Sequence, residues 1–124
     1  MKSIKSVKVI VLICTIFSVF NCSAQNSEID NIKEVITAFS KAGDDSDAKK
    51  LATYLDDNYR IVMNRLFGSE SVSIIDKSTY LEKIKSKEYG GYTRELTIDN
   101  IIINKTTACV KVSFKGEKMT FVSI

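Results

Sequence analysis

The chain has 124 residues, of which 44% are hydrophobic, and it carries 18 Lys and Arg against 15 Asp and Glu, a formal charge of +3. This length is that of a single domain. Because the sequence contains no His, it excludes, within one chain, a Ser-His-Asp or Cys-His nucleophile, a His-ligated zinc ion and an imidazole acid/base.

The segment 1–24 has the three parts of a secretory signal peptide. Lys2, Lys5 and Lys8 precede an uncharged, largely apolar run at 9–20, and small residues follow that run. At a rise of about 1.5 Å per residue, the run would cover about 18 Å of a hydrocarbon core about 30 Å thick, which favours a signal peptide over a membrane-spanning anchor. We therefore expect the chain to be exported, to the periplasm or to the medium.

Two ways of processing this segment remain open. Cleavage after Ala24 would leave residues 25–124 as the mature domain, whereas lipid modification of Cys22 would anchor a bacterial lipoprotein in the membrane. Asn21 stands where a lipoprotein signal has a small Gly or Ala, so we favour cleavage after Ala24. The mature domain then has 15 basic and 15 acidic residues, and its charge does not indicate an anionic partner.

The mature domain retains a single cysteine, Cys109. An internal disulfide is therefore excluded, and the lone thiol of an exported protein is either buried, reactive or paired between chains. Because Cys is among the most buried residue types, we expect Cys109 to lie in the core.

The first predicted helix begins at a capping box formed by Ser27 and Asp30. In this arrangement the side chains satisfy N–H groups that the first turn of a helix leaves free. Apolar residues then recur at helical spacing over 29–39, and Gly43 marks the predicted end of the helix.

Two shorter helices are predicted further along the chain. One follows an acidic link and is capped by Ser46 or Asp47. Its apolar side consists of Ala48, Leu51 and Leu55. The other occupies about 79–87, where Thr79 and Glu82 match a second capping box, and a pair of glycines ends it.

The rest of the chain predicts antiparallel strands joined by short turns. Their residues are 58–67, 72–75, 92–104, 108–115 and 119–124. The clearest alternation runs along 108–115, where the even-numbered residues from Ala108 to Phe114 are apolar and the odd-numbered ones include Lys111 and Lys115. One face of this strand is therefore predicted to be wet or to line a cavity.

This order of elements predicts an α+β fold, with N-terminal helices packed in a curved antiparallel sheet. Four segments resemble the nuclear transport factor 2-like superfamily, and within it the small exported bacterial proteins labelled lumazine-binding. They are 29–39, LDDNYR at 55–60, YLEKI at 80–84 and GGYTR at 90–94. The resemblance implies a cone-shaped cup of bent sheet that the helices close on one side. Relatives continue past the position of Ile124 with a further strand, so we expect residues 25–124 to form this domain without its last strand.

The resemblance also suggests where chemistry would occur. Enzymes of this superfamily hold an Asp or His acid/base group in the cup, with a Tyr as hydrogen-bond donor. Asp57 and Tyr59 straddle the start of the first predicted strand and are the candidate catalytic pair. The alternative is that Asp57 belongs to a solvated loop and Tyr59 to the core.

Arg94 is a candidate ligand-binding residue because it lies on an apolar side of its predicted strand. A guanidinium in that position would bind a ligand carboxylate or phosphate in a bidentate manner. The alternative is a structural ion pair with one of three carboxylates. These are Asp57, Asp76 and Glu82.

Three tyrosines complete the candidate ligand site. Tyr59, Tyr80 and Tyr92 would supply stacking walls for a flat ligand such as a pterin-like ring. The alternative is that these side chains only pack at the boundary of the core, with their hydroxyls toward water.

The sequence lacks motifs for a cofactor, a metal ion or a nucleic acid. It has no Gly-rich phosphate loop and no paired cysteines at metal-ligand spacing. Lysines around the third predicted helix alternate with acidic residues, which indicates a solvated face rather than a nucleic-acid site. Asp44, Asp45 and Asp47 do not follow the ligand order of an EF-hand, so we interpret them as a link with helix caps.

These observations favour binding over catalysis. We expect an exported domain that binds a small, partly apolar molecule or a partner protein in its cup. One alternative is a cofactor-independent isomerase, dehydratase or hydrolase that uses Asp57, Tyr59 and Arg94. Another is a homodimer formed through a strand edge. We expect contact with a membrane only through the signal peptide or a lipid on Cys22.

Overall fold

The computed structural model describes residues 24–117 and 119–124. The apolar run of the predicted signal peptide and Cys22 lie outside the described residues. The contacts divide the chain into two units, Met1–Glu34 and Val35–Ile124, and the described part of the first unit is helical. Among the helices of the described residues, none has both the length and the apolar character needed to span a bilayer.

The described chain has the α+β composition that the sequence predicts, with three helices and two small antiparallel sheets. The helices are α1 at 24–44, α2 at Ala48–Tyr54 and α3 at Lys77–Lys85. The first sheet pairs β1, Arg60–Asn64, with β2, Val72–Asp76. The second has the order β3-β4-β5, formed by Glu95–Asn104, Thr107–Lys115 and Thr120–Ser123.

Helix α1 passes through Ser27, so the prediction that a capping box begins the helix there is wrong. A capping serine must stand outside the helical conformation, and the residues before it must not continue the helix. Here Ala24 and Gln25 are helical as well, and both residue types have high helix propensity.

The other end of α1 is a Schellman motif, in which two N–H groups beyond the helix bond back to its last carbonyls. Asp47 N donates to Ala42 O at 2.9 Å, and Ser46 N donates to Gly43 O at 3.1 Å. Ser46 adopts the left-handed conformation, with φ 55. Gly43 therefore lies inside the last turn, and Ser46 reverses the chain three residues after the predicted stop.

The two short helices are capped by aspartates. Asp47 accepts a hydrogen bond from Lys50 N at 2.9 Å, which confirms one of the two predicted caps of α2. In α3 the capping residue is Asp76, which accepts from Thr79 N at 2.8 Å, so the predicted cap at Thr79 is wrong. Asp76 ends β2 in an extended conformation and leads directly into Lys77, which leaves no linker between strand and helix.

The helices share a small apolar core. Ala42 of α1, Leu51 of α2 and Ile84 of α3 are each at most 2% exposed. The partly buried residues around them are Phe39, Ala48, Tyr80, Leu81 and Tyr89. This core holds the last turn of α1 against the shorter helices, and Asp44 projects from that turn.

The first sheet is a two-stranded hairpin with one buried and one exposed side. Ile75 on the inner side is 6% exposed. Val62 and Ile74 pair directly across the outer side and are 59% and 66% exposed. The mixed apolar pattern of the sequence therefore corresponds to a strand whose outer aliphatic residues face solvent.

The long strand β3 contains a β-bulge. Its register against β4 shifts between Ile98 and Asn100, and the intervening Asp99 accepts a hydrogen bond from Ser113 Oγ at 2.6 Å. The bulge keeps the half-buried side chains on one side of the sheet although their spacing changes. These residues are Leu96, Ile98, Ile101 and Ile103.

Strand β4 has the predicted alternation along most of its length. Val112 and Phe114 are 7% and 6% exposed, whereas Lys111 and Lys115 on the other face are exposed. Cys109 is exposed too, so the prediction of a buried thiol is wrong. Its odd-numbered position places it on the wet face of β4, and this periodicity overrides the general preference of Cys for the core.

A close backbone approach joins α1 to the segment after α3, and it can be tested by substitution. Gly90 has φ 72, and a Cβ there would collide with the carbonyl oxygen of Gly43. Gly68 has φ 79, and a Cβ there would meet nothing within 4 Å. We predict that Gly68→Ala lowers the free energy of unfolding by about 1 kcal/mol, and that Gly90→Ala lowers it by about 3 kcal/mol.

Urea unfolding of the two variants measures the difference. Both substitutions place Ala at a positive φ, so Gly68→Ala controls for backbone strain alone. Equal losses in the two variants would show that the contact between Gly90 and Gly43 does not constrain the fold.

Candidate functional site

A buried ion pair links the end of α1 to the start of β3. Arg94 Nε donates to Asp44 Oδ1 at 2.6 Å, and the backbone N of Arg94 donates to Asp44 Oδ2 at 3.1 Å. The two side chains are 15% and 12% exposed. Both carboxylate oxygens therefore accept hydrogen bonds from Arg94.

The guanidinium of Arg94 is enclosed by the last turn of α1 and the second sheet. Its carbon Cζ lies 4.6 Å from the ring centroid of Phe114 and 6.0 Å from that of Phe121. The two rings stack with centroids 5.0 Å apart. One terminal nitrogen also donates to the carbonyl oxygen of Ser40 at 3.5 Å. Arg94 is therefore held by a carboxylate, by a helix-end carbonyl and by a cation–π contact.

Close packing against Arg94 explains why Gly43 stands in the last turn of α1. A Cβ at this position would lie 3.3 Å from the Nη2 atom of Arg94, which is tighter than an ordinary contact. The missing side chain therefore makes room for the guanidinium next to its partner Asp44.

Two of the candidate tyrosines contact each other. The ring centroids of Tyr59 and Tyr80 are 5.8 Å apart, with the planes tilted by 47°. Burial raises the pKa of Tyr59 to about 12, and Tyr80 adds a smaller increase. Burial also raises the pKa of Tyr80, while the charge of Arg94 lowers it and that of Asp44 raises it. Tyr80 therefore lies within electrostatic range of the ion pair.

We call this group of residues the aromatic–arginine cluster. It consists of Asp44, Tyr59, Tyr80, Arg94, Phe114 and Phe121. Three of the four ligand-binding residues predicted from the sequence belong to it. The fourth, Tyr92, is 49% exposed, and its Cε2 atom would lie 3.3 Å from a Cβ placed on Gly116. Tyr92 therefore stands over the turn between β4 and β5.

Asp57, the other candidate catalytic residue, is exposed to solvent. Its side chain is 98% exposed and pairs with Lys77 Nζ at 3.0 Å. Lys77 also donates to the carbonyl oxygen of Leu55 at 2.8 Å, so it ties the end of α2 to the start of α3. Within the described residues no hydrogen bond connects Asp57 to Tyr59. The geometry matches the alternative in which Asp57 belongs to a solvated loop.

Asp57 also lines a shallow, open depression at the start of α3. The other lining residues are Asp76, Lys77, Ser78 and Leu81. The carboxylate of Asp76 caps the helix, and hydrogen bonds from Thr79 and Ser78 lower its pKa. The polar groups of the depression are therefore already engaged with one another and with the helix end.

The residues with metal-binding chemistry are dispersed or engaged. In the part of the chain that the structure describes, no group of three or more His, Cys, Asp or Glu residues could hold a metal ion. The three acids of the link have protein partners. Asp44 binds Arg94, Asp45 binds Lys41 Nζ at 2.9 Å, and Asp47 caps α2.

Asp44, Phe114 and Phe121 are the members of the cluster that sequence reasoning missed. The partners expected for Arg94 were Asp57, Asp76 and Glu82, and the observed partner is Asp44. Asp44 is 50 residues away in the chain, so periodicity does not connect the two. The small residues Ala42 and Gly43 before it are a signal that a bulky side chain packs at this helix end.

Comparison with known protein families, curated proteins and solved structures found no match to this chain.

Asp45, the residue next to Asp44, provides a matched control for the buried ion pair. We predict that Asp44→Asn lowers the free energy of unfolding by about 3 kcal/mol, because it leaves the cation of Arg94 buried without its counter-charge. Asp45→Asn should leave the urea unfolding curve nearly unchanged, because the pair of Asp45 and Lys41 is 56% and 70% exposed. Similar unfolding curves for the two variants would contradict a structural role for Asp44.

The raised pKa of Tyr59 predicts that the protein loses stability at alkaline pH. The pKa of Tyr59 is about 12 in the folded chain and near 10 without burial, so the folded state holds this proton more tightly. The resulting stabilisation is complete below pH 10 and is lost as the pH rises toward 12. We predict that Tyr59→Phe loses less stability over this range than the native chain, as measured by urea midpoints. Equal alkaline losses would contradict burial of the Tyr59 hydroxyl.

Proposed function

We propose that the chain is an exported domain of the nuclear transport factor 2-like superfamily that binds a small, partly apolar molecule. One observation carries the proposal. Tyr59 and Tyr80 contact each other within electrostatic range of Arg94, which packs against Phe114, whereas Asp57 is exposed and paired with Lys77. This arrangement offers aromatic surface and hydroxyl groups to a ligand without assembling an acid/base pair.

The family assignment rests on the LDDNYR and GGYTR motifs, and the order of helices and antiparallel strands supports it. A finer part of the proposal is that the strands curve into a cone around the helices, which would place the aromatic–arginine cluster at the wall of a cup. The bulge at Asp99 supports curvature, because a bulge bends its strand and increases the local twist.

Export is part of the same proposal and rests on the sequence of residues 1–24. A lysine-rich start, an apolar run and small residues before the mature domain are typical of a secretory signal. Cleavage after Ala24 would release the domain, and a lipid on Cys22 would instead tether it to a membrane.

The catalytic alternative has less support from the geometry. Proton transfer would need Asp57 close to Tyr59 and shielded from water, whereas the Asp57 side chain is 98% exposed. Arg94, the third residue of that alternative, has its side chain committed to Asp44 and to Phe114. Binding therefore accounts for more of the observed arrangement than catalysis does.

Thermal unfolding of the mature domain tests ligand binding directly. The panel contains flavin precursors, pterins and other small ring compounds. A true ligand at about 100 times its Kd should stabilise the fold by about 2.7 kcal/mol, which raises the Tm of a domain of this size by about 10 °C. Tyr80→Phe should reduce the shift, and Tyr54→Phe serves as the control because Tyr54 lies on α2 outside the cluster. If a properly folded sample shows no shift with any compound, the proposal is wrong.

A further inference from the structure

The outer side of the first sheet carries a patch of exposed aliphatic residues. Val62, Val72 and Ile74 are 59%, 55% and 66% exposed, whereas Ile75 on the inner side is 6% exposed. Single exposed aliphatic residues are common on protein surfaces, but neighbouring ones that form a patch rimmed by polar residues mark interaction sites. We call this outer side the hairpin face. It consists of Arg60, Val62, Asn64, Val72, Ile74 and Asp76.

The strand register divides the hairpin face into three rows of directly opposed residues, which point to the same side of the sheet. The rows are Arg60 with Asp76, Val62 with Ile74, and Asn64 with Val72. The first row is therefore positive on β1 and negative on β2, and the middle row is apolar on both strands.

The two charges of the first row are available to a partner. Among residues 24–117 and 119–124, no carboxylate lies within ion-pair distance of Arg60, which is exposed. Asp76 caps α3 through one oxygen, since both Thr79 N and Ser78 Oγ donate to Oδ1. Its Oδ2 atom can therefore accept a hydrogen bond from another guanidinium.

A second copy of the chain matches this pattern. When two hairpin faces pack about a two-fold axis parallel to the strands, β1 of each copy lies over β2 of the other, and each row meets itself with its members exchanged. Arg60 then faces Asp76 of the second copy, twice in the dimer, and Val62 faces Ile74. An axis across the strands would instead place the charged row over the row of Asn64 and Val72. The charges therefore select the parallel axis.

The size of the hairpin face predicts that such a dimer is weak. Each strand has five residues, which span about 17 Å, and two strands about 4.8 Å apart are about 10 Å wide with their side chains. This contact is far smaller than the roughly 800 Å² that each partner buries in a stable interface. We therefore expect a Kd on the order of 100 μM, which corresponds to association at high local concentration.

We infer that the hairpin face is the contact surface of a weak homodimer, in which two copies pack face to face about an axis parallel to β1 and β2. None of the six residues of the hairpin face belongs to the aromatic–arginine cluster, so the inference is independent of the proposed ligand site. It also differs from a homodimer formed through a strand edge, because side chains rather than backbone groups make the contact.

Sedimentation equilibrium of the exported form tests the apolar part of the contact, from about 10 μM to about 1 mM. A reducing agent prevents a disulfide between exposed Cys109 thiols. We expect Ile74→Thr to weaken the dimer at least 10-fold, because the residue enters the contact twice by symmetry. Thr keeps the β-branch, so strand propensity is preserved. Ile102→Thr, at a residue that is 60% exposed on β3, is the matched control and should change nothing.

Charge reversal tests the orientation of the two copies. Arg60→Glu would place two carboxylates against each other at both ends of the contact, and we expect it to weaken the dimer at least 10-fold. Arg65→Glu makes the same charge change just beyond β1 and should have little effect. Circular dichroism verifies that each variant is folded, and the arginine variants decide the question if Ile74→Thr does not fold.

Three outcomes would overturn the inference. The first is a chain that stays monomeric at about 1 mM under reducing conditions. The second is a dimer that Ile102→Thr weakens as much as Ile74→Thr does, which would show that another surface makes the contact. The third is an equal effect of Arg60→Glu and Arg65→Glu, which would contradict the facing of Arg60 and Asp76.

Discussion

The ion pair between Asp44 and Arg94 is the interaction on which the arrangement of Val35–Ile124 depends. It joins the last turn of α1 to the residue that precedes β3. The helical core and the second sheet meet where Arg94 reaches both the carbonyl of Ser40 and the ring of Phe114. Replacing either charge would therefore affect more than one contact.

The ion pair explains several local features of the chain. Gly43 has no side chain where the guanidinium packs, and Gly90 allows its backbone to approach the carbonyl of Gly43. The chain then turns through Gly91, whose N–H donates to that same carbonyl at 3.3 Å. Glycines that resemble simple helix stops in the sequence are thus positions where two backbones and one arginine come close together.

The sequence predicts the elements well where hydrophobic periodicity decides them. The spacing of Leu51 in α2 and the alternation of Val112 and Phe114 in β4 correspond to buried positions in the structure. Helix ends are less predictable. Ser27 and Asp76 are both residue types that favour a helix N-terminus. Only Asp76 caps a helix, because the residues before Ser27 are themselves helical. The bias of Cys toward burial failed at Cys109 because strand register, which depends on neighbouring strands, decides the face.

The sequence predicts several residues of the candidate site but not the pairing of Arg94 with Asp44. Residue type and position identify Arg94, Tyr59 and Tyr80 as candidates. Asp44 is 50 residues from Arg94, and in the sequence it resembles the other acids of a solvated link. Only tertiary packing distinguishes Asp44 from Asp45, one buried and the other exposed. The charge of the site depends on that distinction.

The bulge in β3 has a consequence for the edge of the second sheet. In the second sheet β3 pairs only with β4 among the described strands, so no described strand pairs with its other edge. A regular edge of ten residues would be a template on which another chain could add a strand and begin to aggregate. The shifted register at Asp99 and its acidic side chain make this strand irregular at its middle, and irregularities and charges of this kind disfavour strand addition at a sheet edge.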